Sequence, residues 1–198
     1  MKKIPTLFER GADGFVTPVF AEVFDFSTAT PTEKLDGTNV RLTVRAGTLA
    51  RLEKRRNPTQ KQKADGIIEP WYMDASGNDP ADQFIWAAAR NTDLTGVPDG
   101  EWSGEAVGPK IQGNPLHLPT LRVALFSLES ERELLTLPDA PSPPTFDNLR
   151  DWLPCAESRY SRRFSSASGV RIEGIVWHWS DGRMVKIKTT DFARSARG

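Results

Sequence analysis

One cysteine and two histidines stand in 198 residues, so neither an internal disulfide nor a zinc centre of Cys and His ligands is available to hold this chain together. Cys155 is therefore expected to be a small packing residue. Long apolar runs are missing as well. No stretch of about eighteen apolar residues exists, and the start, Met1-Lys2-Lys3-Ile4-Pro5, lacks the apolar centre of a signal peptide. The expectation is a cytoplasmic protein without membrane association. Net charge is also absent: 26 basic residues balance 26 acidic ones, so no global field steers the chain toward nucleic acid or an anionic surface. No internal repeat is present.

What is there is unevenly placed. Residues 34–63 carry nine Lys or Arg against two acids, and residues 159–198 carry nine against three. The segment between them, residues 64–158, carries five against sixteen. Two basic segments therefore bracket an acidic middle, either as the phosphate-facing walls of one cleft or as two solvated strand faces. The length fits one domain, residues 1–198, with a sizeable core.

Within the first basic segment, Lys34-Leu35-Asp36-Gly37-Thr38-Asn39 sets a lysine just ahead of a glycine turn and an alternating run, Val40 to Arg45. That alternation predicts a strand with one buried face, and Ala46-Gly47 predicts a turn into a second strand, Thr48 to Leu52. The cationic cluster Arg51-Leu52-Glu53-Lys54-Arg55-Arg56 follows and is stopped by Asn57-Pro58. Further along come Ser103-Gly104-Glu105-Ala106-Val107-Gly108-Pro109-Lys110-Ile111-Gln112, then Val123-Ala124-Leu125-Phe126, Glu173-Gly174-Ile175-Val176 and Val185-Lys186-Ile187-Lys188.

In order and spacing these five segments resemble motifs I, III, IIIa, IV and V of the covalent nucleotidyltransferases, the superfamily of polynucleotide ligases and mRNA capping enzymes. The resemblance covers about Glu33 to Asp191. Asn39 and the Gly-Pro-x-Ile-Gln after Glu105 resemble the RNA ligase branch, including phage and trypanosome RNA-editing enzymes; DNA ligases and capping enzymes usually carry arginine where Asn39 stands. The implied fold is a single α+β nucleotidyltransferase domain, ATP-grasp-like, with antiparallel sheets enclosing an ATP cleft. Ten residues follow Lys188, so the OB-fold domain of DNA ligases and capping enzymes is not expected, and an accessory protein is a possible replacement for it.

The resemblance also implies roles. Lys34 would attack the α-phosphate of ATP and carry AMP, with Asp36 and Gly37 of the same motif against the nucleotide. Glu105 would hold the ribose hydroxyls, Phe126 would stack on adenine, and Asn39 would position phosphate in later steps. Glu173 would orient a hydrated Mg²⁺ (or Mn²⁺) or the lysine, while Lys186 and Lys188 would contact the α-phosphate. An arginine about twenty residues beyond the lysine is essential in the resembled enzymes, which leaves Arg55 and Arg56 as alternatives. Glu101 also stands in a motif-like Asp99-Gly100-Glu101, but only Glu105 is followed by Gly-Pro-x-Ile-Gln. The substrate implied is RNA with 5′-phosphate and 3′-hydroxyl ends, in an RNA repair reaction. A minimal DNA ligase, a capping-type guanylyltransferase and a non-catalytic nucleotide- or RNA-binding module are the alternatives.

The chemistry makes its own demand. An ordinary lysine amine titrates near 10.4, so presenting one neutral at pH 7 costs about 4.6 kcal/mol, and neighbouring cations, a metal ion or burial must offset that. Lys186 and Lys188 can be placed by a hairpin. Asp181-Gly182 between alternating runs predicts a two-residue turn, pairing Trp177 with Lys186, Ile175 with Lys188 and Glu173 with Thr190, so that Glu173, Lys186 and Lys188 share a face. Elsewhere, Asp79 as N-cap with Pro80 at the first helical position predicts a helix that carries Phe84, Ile85, Ala88 and Ala89. Residues 137–144 hold four prolines and predict a loop, with Thr145 capping a short helix to Leu153. Trp71-Tyr72-Met73 receives no role.

Overall fold

Two antiparallel sheets, each apolar on one side and polar on the other, face each other across a cleft in the computed structural model, which describes residues 3–193. The chain opens with strands β1 (Phe8–Arg10) and β2 (Val16–Phe20), which pair as a small hairpin. It continues through β3 (Thr30–Lys34), β4 (Thr38–Arg45), β5 (Thr48–Arg56), helix α1 (Gln60–Ala64) and β6 (Trp71–Asp74). Helix α2 (Gln83–Asn91), β7 (Gly100–Val107), β8 (Arg122–Leu125) and helices α3 (Glu129–Leu135), α4 (Phe146–Trp152) and α5 (Arg159–Phe164) follow. The hairpin β9 (Gly174–His178) and β10 (Met184–Lys188) comes last.

β6-β5-β4-β7-β8 form a five-stranded sheet and β10-β9-β3 a three-stranded one, with every ladder between these strands antiparallel. This is the α+β class and the antiparallel arrangement expected. The period-two pattern explains the layers. Val40, Leu42 and Val44 turn one way on β4 and join Leu52, Val123, Leu125 and the α2 residues Ile85, Ala88 and Ala89 in one core. Ile175, Trp177, Val185 and Ile187 turn away from the cleft on the smaller sheet, against Leu149 and Leu153. A third cluster, including Leu35, Leu116, Ala124 and Tyr160, lies where the sheets meet. No helix of the described residues is long and apolar enough to cross a membrane.

Four local expectations need correction. Trp177 pairs with Val185 and Val176 with Lys186, one residue out of the expected register. The turn is Ser180-Asp181-Gly182: Gly182 adopts φ of +85°, and Trp179 N donates to Arg183 O at 3.1 Å, which is the three-residue loop with a left-handed glycine. The helix after Asp79 begins at Gln83, because Asp82 N closes a separate turn onto Asp79 O at 2.9 Å. The carboxylate of Asp82 is then taken by Lys54 and by Ser76 N at 2.8 Å. β5 runs on to Arg56 rather than ending at Leu52. Cys155 is exposed; it follows α4, whose apolar face is supplied by Leu149 and Leu153, so packing does not call on it. Thr145 does cap α4, in a capping box with Asn148.

Glycine decides two close approaches. A Cβ at Gly37 would lie 2.3 Å from Ala106 O, and one at Gly174 would lie 2.1 Å from Ile187 O. Both obstacles are backbone, which cannot rotate away. Gly174 pairs with both Lys34 and Lys188, so its missing side chain lets the two lysine-bearing strands close on it. Gly174→Ala is expected to cost about 2–3 kcal/mol by overpacking and to lower the melting temperature by roughly 6–10 °C for a chain of this size, measured by calorimetry.

Candidate active site

The three-stranded sheet has a polar face because alternate residues of its three strands point the same way: Thr30, Thr32 and Lys34 from β3, Val176 and His178 from β9, Met184, Lys186 and Lys188 from β10. Opposite it, the five-stranded sheet turns Asn39, Arg41, Arg55, Tyr72, Glu101, Ser103 and Glu105 inward. A cavity of about 830 Å³ lies between these faces. Lys34, Asn39, Arg55, Glu105, Phe126 and Lys186 line it. Glu173 and Lys188 do not line the cavity; Glu173 meets it through Lys34, and Lys188 meets Glu173.

Lys34 Nζ lies 2.5 Å from Glu173 Oε2, and Lys188 Nζ lies 3.4 Å from Glu173 Oε1. One carboxylate thus holds two amines from two strands. The expected cross-strand pairing does not bring this about. Glu173 precedes β9, where the pleat no longer dictates its direction, and Thr189 N donating to Glu173 O at 3.0 Å ties it to the end of β10. Lys186 is half-buried, and its ammonium is pushed below the ordinary lysine range, first by burial and then by Lys34 and Lys188. Asp36 is held above the usual carboxylate range by burial foremost and then by Glu173. It stands just outside the cavity lining, as does Gly37, which serves the close approach described above.

Arg55 and Arg56 part company by strand parity. Arg55 lines the cavity while Arg56 is exposed. Arg41 and Arg51 are each paired with carboxylates, but Arg55 makes no ion pair among the described residues, and its buried Nε has no hydrogen-bond partner. A guanidinium left unneutralised in a cleft suits an anion. Glu101 and Glu105 share a face of β7 and differ in depth: both line the cavity, yet the Glu101 side chain is 53% exposed and bound to Arg41 at 3.0 Å, whereas Glu105 is deeply placed and accepts from Asn39 Nδ2 at 3.3 Å.

Burial raises the Glu105 carboxyl to about 7, against the opposing pull of Lys34 and of the Asn39 hydrogen bond. The sign of the consequence follows. An acid whose folded pKa exceeds its ordinary 4.5 binds its proton better folded than unfolded, so its contribution to stability declines as pH rises from about 4.5 to about 7 and is level beyond. Wild type is therefore expected to lose about 3 kcal/mol relative to Glu105→Gln between pH 4.5 and pH 8, read from denaturant melts of both proteins at the two values.

Several residues of the site carried no sequence signal. Tyr72 donates to Asn39 Oδ1 at 2.7 Å. Thr32 and His178, 2.9 Å apart, and Arg132 of α3 form the far end of the cavity, where burial and then Arg132 hold His178 below the ordinary imidazole range. Glu33 is buried behind Lys34 and accepts from Ser158 Oγ at 2.5 Å and from the amides of Arg159 and Tyr160. Only strand alternation beside Lys34 hinted that Glu33 must face the other way.

No protein-family model and no curated protein matches this chain. Solved structures do. A mutant RNA ligase of Naegleria gruberi with AMP and Mn matches with a TM-score of 0.53 at 16% identity, over 96% of this chain and 62% of that one. A second mutant, with ATP and Mn, matches with a TM-score of 0.51 at 17% identity, over 81% of this chain and 49% of that one. The chain thus spans about half to three-fifths of the length of these ligases. At such identity the likeness is one of fold: the chain shares the fold of the matched part of these ligases, which agrees with the motif order.

Proposed function

We propose that this chain, from a fold shared with RNA ligases and a lysine poised at the edge of a nucleotide-sized cavity, is an ATP-dependent RNA ligase that works through AMP carried on Lys34. The observation that carries the reading is the grouping of Lys34, Glu173 and Lys188 at one corner of a cavity whose walls also present Lys186, Glu105 and Phe126. The volume suits a bound nucleotide.

In the first step Lys34 Nζ attacks the α-phosphorus of ATP. A nitrogen–phosphorus bond forms, the α–β bridging bond breaks, and pyrophosphate leaves with the electron pair. The amine must shed a proton, and Glu173 Oε2, 2.5 Å away, is the nearest carboxylate acceptor. Lys186 and Lys188 set positive charge beside the α-phosphate, which stabilises the charge that grows on its oxygens. Glu105 would take the ribose hydroxyls, Phe126 would stack on the base, and the Arg55 guanidinium would meet a phosphate oxygen. Transfer of AMP to an RNA 5′-phosphate, then its displacement by a 3′-hydroxyl, would complete sealing, with Asn39 positioning phosphate.

A divalent ion, Mg²⁺ or Mn²⁺, finds no ready cluster of three protein ligands among the described residues; Glu173 would orient it, with phosphate oxygens and water completing its shell, the arrangement Mg²⁺ favours. When bound it supplies positive charge that makes pyrophosphate a better leaving group. The test is intact mass after incubation with ATP and Mg²⁺, with GTP in parallel. One AMP gained from ATP supports the reading; an unchanged mass, after pyrophosphatase treatment as well, rejects it.

A further inference from the structure

Tyr72 belongs to none of the motifs, yet it lines the cleft from β6, the edge strand of the larger sheet. It lies opposite Arg55 across the β6–β5 ladder, and Asn39 lies opposite Glu105 across the β4–β7 ladder. With Val40 opposite Lys54, the four residues Tyr72, Arg55, Asn39 and Glu105 fall in one row across four strands. Tyr72 reaches along this row past Arg55 and donates its hydroxyl to Asn39 Oδ1 at 2.7 Å. The other end of the same carboxamide, Nδ2, donates to Gly104 O at 3.1 Å and to Glu105 Oε2 at 3.3 Å.

A carboxamide turned by half a rotation exchanges its oxygen for its NH₂ group. Gly104 O can only accept, and the Tyr72 hydroxyl donates to the amide oxygen, so these two partners together select one orientation, the one that also turns Nδ2 toward Glu105. The tyrosine is itself held. The Arg41 guanidinium lies 4.6 Å from its ring centroid, and Arg41 is fixed in turn by Glu53 at 2.7 and 2.8 Å and by Glu101 at 3.0 Å. A strand residue under a clamped guanidinium makes a rigid post.

We infer that Tyr72 is a positioning residue: it holds the Asn39 carboxamide with its nitrogen toward Glu105, and thereby sets the carboxylate that receives the nucleotide's ribose. The inference rests on the nucleotide-site reading given above. Without the hydroxyl the amide oxygen loses its donor, the group is free to turn, and its oxygen can swing against a carboxylate.

The test is a double-mutant cycle of Tyr72→Phe and Asn39→Ala, read as the dissociation constant for α,β-methylene-ATP, whose carbon bridge prevents the covalent step. Tyr72→Phe is expected to weaken binding about five-fold, the worth of one hydrogen bond, and Asn39→Ala at least as much. In the Asn39→Ala background Tyr72→Phe should then add less than about two-fold, because its partner is gone. Equal losses in both backgrounds, which a merely structural role would give, overturn the inference, and so does no loss in either. Intact mass with ATP is judged apart from this. A wild type that binds the analogue but never gains AMP removes the ligase reading and leaves the cycle to decide the role of Tyr72; a wild type that does not bind the analogue removes both.

Discussion

Lys34→Ala is expected to end covalent labelling by ATP while leaving the fold and the cavity in place. The loss should be complete because the amine is the bond-forming atom, not one of several groups that lower a barrier. Two other lysines stand nearby, and each is a rival nucleophile in principle. Lys188 approaches Glu173 no closer than 3.4 Å and stands outside the cavity lining, whereas Lys34 both lines the cavity and contacts the carboxylate. Lys186 also lines the cavity, on β10, but Glu173 forms no ion pair with it. Lys34→Arg sharpens the argument. It keeps the positive charge beside Glu173, but a guanidinium stays protonated in proteins, so it too should give no adduct. Stability should change little, since Glu173 keeps Lys188 and is partly open to water. Intact mass and melting temperature of the three proteins read both halves of the expectation. Labelling of Lys34→Ala at the wild-type rate would falsify the assignment and point to Lys186 or Lys188.

How far such a site can be read in advance depends on how local its causes are. That the motif lysines and glutamates would gather about one cleft was legible because the resemblance sets them in a known order, and β4 was legible because its alternation, Val40 to Arg45, is written in adjacent residues. The hairpin that carries Lys186 and Lys188 was legible as a hairpin, but its register was not. Asp181-Gly182 serves a two-residue turn or the last two positions of a three-residue turn, and the difference of one residue lies in a backbone angle at Gly182 that composition does not specify. The convergence of Glu173 on Lys34 survived that error because Glu173 stands outside the ladder. Tyr72 and Glu33 were illegible for a different reason. Their partners, Asn39 and the start of α5, are brought to them by sheet order and by a contact between residues 125 or more positions apart, and no neighbouring residue records either. Asp82 shows the same limit in reverse: its sequence context reads as helix interior, but the buried amine of Lys54 claims its carboxylate.

Glu33→Ala is expected to be the most destabilising single substitution in the neighbourhood of the site, although Glu33 takes no part in the chemistry proposed. Its side chain is 3% exposed. One oxygen accepts from Ser158 Oγ at 2.5 Å, the other from Arg159 N at 2.9 Å and Tyr160 N at 3.1 Å. Those amides open α5 and have no turn of helix before them to supply carbonyls, so the carboxylate of a distant strand does that work. Burial lifts the Glu33 carboxyl above its ordinary range while these hydrogen bonds pull it back, which means the buried group depends on both its oxygens being hydrogen-bonded. Alanine removes the acceptor and leaves a hydroxyl and two amides unpaired in a buried place, at about 1–3 kcal/mol each before relaxation. A net loss of about 3–5 kcal/mol is expected, or roughly 10–15 °C in melting temperature. Glu33→Gln should fall between, because one amide oxygen remains to accept while the NH₂ group faces donors. The effect should also reach Lys34. Strand alternation puts Glu33 and Lys34 on opposite sides of β3, so the anchor on α5 fixes the direction from which Lys34 enters the cleft. At a temperature where Glu33→Gln is fully folded, AMP labelling should therefore be slower than in wild type. A Glu33→Ala protein that melts within about 2 °C of wild type, less than the shift expected for 1 kcal/mol, would mean that α5 finds other acceptors and that β3 does not need this anchor to hold Lys34 in place.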